Sequence, residues 1–89
     1  MVTKEIEIKN KLGLHARAAA KLVHTAARFR SDVKVRRGGE EVDAKSILGI
    51  LLLAASYGTR VTLLANGDDE QEAMRTIENL FDSKFDEME

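Results

Sequence analysis

The chain of 89 residues has no cysteine, no proline and no tryptophan, and its aromatic side chains are one tyrosine and three phenylalanines. Without cysteine, disulfides and thiolate metal sites are excluded. Without proline, breaks between elements rest on glycine and asparagine. So few rings make a poor stacking platform for nucleic acid. The opening residues "MVTKEIEIKN" hold no apolar signal core, so nothing there directs export. The longest apolar stretch, "ILGILLLAA" from Ile47 to Ala55, falls well short of the ~20 residues that span a bilayer. The expectation is a cytoplasmic protein of one domain, 1–89, with a thin core, because a chain this short buries only ~60–65% of its extended surface.

What is present is an ordinary globular balance, 44% hydrophobic and 33% charged. The charge is unevenly spread. Residues 1–45 carry eleven Lys/Arg against six Asp/Glu, and residues 46–89 three against nine, giving +5 and −6. Such a split suits either a basic binding face or one acidic helix on a mixed surface.

Val2, Lys4, Ile6 and Ile8 alternate with polar residues and predict a half-buried strand. Gly13 breaks the loop from Asn10 to Leu14. From Ala16, the spacing of Ala19, Leu22, Val23, Ala26 and Phe29 predicts a helix, with Arg28 and Arg30 near its end. Val33, Val35 and Val42 flank the hairpin turn Gly38–Gly39. Ser46 precedes a short apolar helix ended by Gly58, in which Ile50, Leu52 and Leu53 cover the sheet. Val61, Leu63 and Ala65 form a last strand. Asp69 and Glu72 have the spacing of a capping box, opening an acidic helix through Ala73, Ile77, Leu80 and Phe81, after which either Phe85 and Met88 extend its apolar face or the tail frays. The order βαββαβα predicts an α+β fold, an open-faced β-sandwich with a four-stranded antiparallel sheet and three helices on one face.

In "GLHARAAAKL", residues 13–22, a histidine stands where a helix begins. If Ala16 opens the helix, His15 is its N-cap. The amides of Ala16, Arg17 and Ala18 then lack internal partners and point into the space beside the imidazole. Arg17 adds planar donors suited to phosphate. The result is an anion site with a nucleophile at its centre, in a positive field that favours the neutral ring and its free lone pair. The plainer reading is that His15 only caps the helix. His24, nine residues on, falls about 180° away around the helix and cannot share the site, which also argues against a His–His metal pair.

"NKLGLHARAAAKLV" followed by "VDAKSILGILLLAASYGTRVTLLANGDDEQEAM" resembles the HPr family, the histidine-containing phosphocarriers of the phosphoenolpyruvate-dependent sugar phosphotransferase system, over nearly the whole chain. The resemblance implies the same open-faced sandwich. It implies that His15 accepts a phosphoryl group through Nδ1 from enzyme I and delivers it to an A-type sugar-permease component, with Arg17 stabilising the phosphate. Such a protein is a transfer component rather than a stand-alone enzyme, and needs no cofactor or metal. The family pattern is usually "GLHARPA"; here Ala18 replaces the proline and returns one amide donor to the first turn.

Ser46 reads locally as a serine N-cap. Many family members are phosphorylated at this serine by a dedicated ATP-dependent kinase, HPr kinase/phosphorylase, and the resemblance extends that role to Ser46. It also implies a docking patch for acidic partners formed by Ala16, Lys21, Ile47, Leu48 and Leu51, with Arg17, Lys21 and Lys45 as its rim cations, on a monomer. Other functions to weigh are a nucleic-acid module, an acylphosphatase-like hydrolase using His15 and Arg17, and a regulatory or nitrogen-branch HPr paralogue.

Overall fold

The computed structural model describes residues 1–87. Its order is β1 (Val2–Glu7), α1 (Ala16–Ala26), β2 (Asp32–Arg37), β3 (Glu40–Asp43), α2 (Ile47–Leu53), β4 (Arg60–Asn66) and α3 (Glu70–Asp82). The four strands form one antiparallel sheet in the order β1-β4-β2-β3. The register pairs Val2 with Ala65 and Val35 with Leu63, and the hairpin closes at Arg37 opposite Glu40.

Alternation along the strands sends Ile6, Val33, Val35, Val61, Leu63 and Ala65 to the covered face. Against it lie Ala18, Ala19, Leu22 and Ala26 of α1 and Ala73, Met74, Ile77 and Phe81 of α3. The alanines on α1 leave no bulk between backbone and sheet, so the helix seats closely and its N-terminus is held in a fixed place. Lys4 departs from the alternation of its edge strand by sending its ammonium to Glu78 of α3 at 3.2 Å. Lys9 meets Asp82 at 3.1 Å, so the acidic helix and the basic first half partly neutralise one another at the surface.

Several boundaries differ from the sequence reading. Helix α1 ends at Ala26, so Phe29, Arg28 and Arg30 follow it in a turn. Helix α2 ends at Leu53, where Ala54 takes the left-handed conformation (φ 53°); Gly58 lies beyond it. Leu52 faces solvent, 69% exposed, while Ile50 and Leu53 are buried. A helix of seven residues shows the sheet only two of its positions, and 52 falls between them.

The capping box does not form. The Asp69 carboxylate turns away from its own helix to accept the Arg30 amide (2.9 Å), the Ser31 amide (3.0 Å) and the Ser31 hydroxyl (2.5 Å). The side chain that reaches back is Glu70, which accepts the Gly67 amide at 3.0 Å.

Phe85 does not continue α3. Lys84, Phe85 and Asp86 all have positive φ (57°, 57° and 59°), a left-handed turn that reverses the chain and drives Phe85 edge-on against Phe81 with ring centroids 4.8 Å apart. Side chains other than glycine adopt this conformation at a cost of about 1–2 kcal/mol each. Burial of the Phe85 ring offsets part of it. Met88 lies outside the described residues.

Candidate functional site

The loop before α1 is pinned at both ends. The Gly13 amide donates to the Asn10 carbonyl (3.0 Å) and the Leu14 amide to the Ala55 carbonyl (2.9 Å). Gly13 has φ +66°, and a Cβ there would lie 2.7 Å from the Ala55 oxygen and 2.8 Å from Ser56 Cα. Only glycine allows this approach, which locks the loop onto the segment after α2. Leu14 is buried beneath it.

His15 is the N-cap of α1, with extended backbone (φ −76°, ψ −179°). The helical ladder begins where the Ala19 amide meets the His15 carbonyl at 2.8 Å, leaving the amides of Ala16, Arg17 and Ala18 ahead of it. The Arg17 amide points at Nδ1 of the ring, but at 3.4 Å the bond is long. The imidazole side chain is 26% exposed. Arg17 and Ala16 are exposed, whereas Ala18 is wholly buried. A nucleophilic nitrogen, a short row of amides and a guanidinium-bearing residue are thus brought together, and an incoming anion could replace the weak amide–ring contact by shorter ones.

His24 is exposed and does not reach the His15 ring, as the helical rotation predicts. It lines an open groove on α1 together with Arg17, Lys21, Arg28, Leu80 and Asp86. Arg17, Lys21 and Arg28 give this groove three cations of the basic first half of the chain.

The second predicted cluster is also assembled locally. Ser46 caps α2, its hydroxyl accepting the Gly49 amide at 3.1 Å. Ile47 (44% exposed), Leu48 (64%) and Leu51 (38%) face solvent, and Leu52 joins them. Such a run of exposed apolar side chains is uncommon on a surface without a binding role. Two of its expected rim cations are turned to backbone carbonyls: the Lys21 ammonium donates to Phe85 at 2.5 Å and the Lys45 ammonium to Phe29 at 2.9 Å.

Two residues beside the imidazole were not legible as site residues. Glu87 accepts from Nε2 of His15 and from the Asn10 side-chain amide (3.1 Å). Asn10, fully buried, also donates to the Gly13 carbonyl at 2.7 Å. Burial raises the Glu87 carboxyl, but the bonds from His15 and Asn10 and the nearby Arg17 charge outweigh it and hold the group below the ordinary carboxylate range. Asn10 could have been suspected from a polar residue opening the loop; Glu87 carries no local signal. Among the described residues, no group of His, Asp or Glu has the clustering needed to hold a metal, and no helix is long and apolar enough to cross a membrane.

The chain is similar to known proteins over nearly its whole length. The PTS-HPr family, described as "PTS HPr component phosphorylation site", matches residues 2–83. The phosphocarrier protein HPr of Cupriavidus necator is 52% identical over 89 residues, covering both chains in full. The crystal structure of HPr from Thermoanaerobacter tengcongensis superposes with a TM-score of 0.96 at 49% identity, again over the whole of both chains. The solution structure of Crh, the Bacillus subtilis catabolite repression HPr, has a TM-score of 0.67 at 48% identity, covering 90% of this chain and 95% of the other.

Proposed function

The chain belongs to the HPr family of phosphotransferase-system phosphocarriers, and on that premise we propose that it accepts a phosphoryl group on Nδ1 of His15 from phosphorylated enzyme I and passes it to A-type sugar-permease components. The observation that carries this reading is the Nδ1 atom facing the Arg17 amide across 3.4 Å at the start of α1. Oxygens of a phosphoryl group on Nδ1 would take up the amides of Ala16, Arg17 and Ala18 and the Arg17 guanidinium. A helix start stabilises an anion by only about 0.3–2 kcal/mol, which orients the group without trapping it. That suits a carrier, which must release what it receives.

In this reading the chain is one HPr-like domain, 1–89, acting in the cytoplasm as a monomer, with no cofactor or metal. Partners dock on Ala16, Lys21, Ile47, Leu48 and Leu51, beside the groove where Arg17 and Arg28 steer acidic surfaces. Phosphorylation of Ser46 by a dedicated kinase adds charge at the edge of this patch and weakens docking of acidic partners. Incubation with phosphoenolpyruvate and enzyme I, followed by intact mass, tests the reading. It requires one added phosphate, labile in acid and absent from His15→Ala.

The likeness to Crh favours a second reading, a regulatory paralogue whose phosphorylation state reports on metabolism. Offering the phosphorylated chain to an A-type component separates the two. Return to the unphosphorylated mass supports the carrier; retention of the phosphate supports the regulator.

A further inference from the structure

Glu87 stands 72 residues from His15 in sequence, and three features of the fold bring it to the ring. The left-handed turn at Lys84–Asp86 reverses the chain. Phe85, fully buried against Phe81, anchors the reversal, and Lys21 of α1 holds its carbonyl at 2.5 Å. The Asn10 amide, itself fixed on Gly13, then orients the carboxylate at 3.1 Å. The Glu87 side chain is 7% exposed, so this contact is built into the fold and is not a loose surface pair. The Arg17 charge also acts on the carboxylate, and Arg17 lines the groove on α1 together with Lys21 and Asp86.

We propose that Glu87 is a positioning residue for phosphoryl transfer at His15: its carboxylate accepts Nε2–H, keeps that proton on Nε2, and so leaves the lone pair on Nδ1 directed at the Arg17 amide. This rests on His15 being the phosphoryl acceptor. In the transfer, the Nδ1 lone pair forms the bond to phosphorus while the bond from phosphorus to the donor breaks, its electron pair leaving with the donor. The Nε2 proton stays on the ring, which becomes cationic, and Glu87 balances that charge. Delivery reverses the step, and the ring leaves as a neutral imidazole with its proton still on Nε2. A carboxylate that orients a histidine and stabilises its cationic form is a recurrent arrangement in nucleophilic catalysis.

The test uses the full chain and its Glu87→Gln and Glu87→Asp variants, with two readouts. The first needs no partner: in the unphosphorylated protein, the His15 Nε2–H proton is observed by NMR. The contact requires a downfield, exchange-protected signal that moves upfield and exchanges faster in Glu87→Gln. The second is the rate of phosphate uptake from phosphorylated enzyme I. Glu87→Gln keeps the shape and an acceptor oxygen but removes the charge, and is expected to slow uptake about tenfold, the scale of one charge-assisted hydrogen bond. Glu87→Asp, one methylene short, is expected to recover part of the rate. Uptake by Glu87→Gln at the wild-type rate overturns the proposal, and faster uptake overturns it in favour of a tail that obstructs the site. If the wild type takes up no phosphate, the acceptor reading itself fails, and the NMR signal still reports whether the contact exists.

Discussion

The starts of α1 and α2 are built alike and behave differently. Each has an extended residue whose side chain accepts a backbone amide from the first turn of the helix. At α2 the Ser46 hydroxyl reaches the Gly49 amide at 3.1 Å, an ordinary cap. At α1 the wider imidazole stops 3.4 Å from the Arg17 amide. A good cap saturates its donor and stabilises the helix; a poor one leaves the donor available to a ligand. The same local motif therefore serves stability in one place and leaves an anion site in the other. The α3 start is a third case: Asp69 gives up its own helix to tie down the turn after α1.

The sharpest way to break this contrast is to exchange function against stability. Placed in a Glu87→Gln chain, so that no buried carboxylate loses its partner, His15→Ala is expected to abolish phosphate incorporation, measured by intact mass, while changing unfolding free energy by less than about 0.5 kcal/mol because its cap bond is weak. Ser46→Ala is expected to do the reverse, keeping incorporation and losing about 0.5–2 kcal/mol in urea unfolding. A His15→Ala change in that chain as destabilising as Ser46→Ala would mean that both are simply caps.

Gly13→Ala probes the loop that holds the α1 start in place. A Cβ 2.7 Å from the Ala55 carbonyl, on a residue with φ +66°, is expected to cost about 1–3 kcal/mol in the same unfolding assay, with slower phosphate uptake as the loop shifts.

Asp69 tests the third helix start through pH. The Ser31 hydroxyl and the Arg30 amide lower its carboxyl from 3.8 to about 2. A group depressed in the folded state contributes stability that is full above its unfolded value and lost as pH falls through the folded one. Wild type should therefore lose stability between pH 4 and pH 2 more steeply than Asp69→Asn, read from acid titrations of the circular dichroism signal. Parallel acid limbs would count against the three-bond arrangement.

The smallest expected effect concerns the patch on α2. Leu48→Ser, at a position 64% exposed, should leave unfolding within about 0.5 kcal/mol of wild type yet slow transfer from enzyme I, measured at limiting donor. An unchanged rate would remove Leu48 from the docking surface.

Much of this was readable along the chain, because it depends on neighbours. Periods of two and near four separated strands from helices, and His15 and Ser46 both fell one residue before the helix they cap. Where the reading erred, a non-local term prevailed. Asp69 has the spacing of a cap but finds three donors in the turn before β2, which outbid a single amide of its own helix. Leu52 looked like core because composition cannot say which side of a seven-residue helix meets the sheet.

The sequence by itself determined the element order, the apolar faces of the strands and of α1 and α3, and the histidine at the mouth of α1, since each follows from contacts a few residues apart. Only the tertiary structure decided what stands on the other side of that ring. Glu87 reaches Nε2 because the buried Phe85 ring anchors a left-handed reversal of the chain, and no pattern within a short window encodes a meeting across 72 residues.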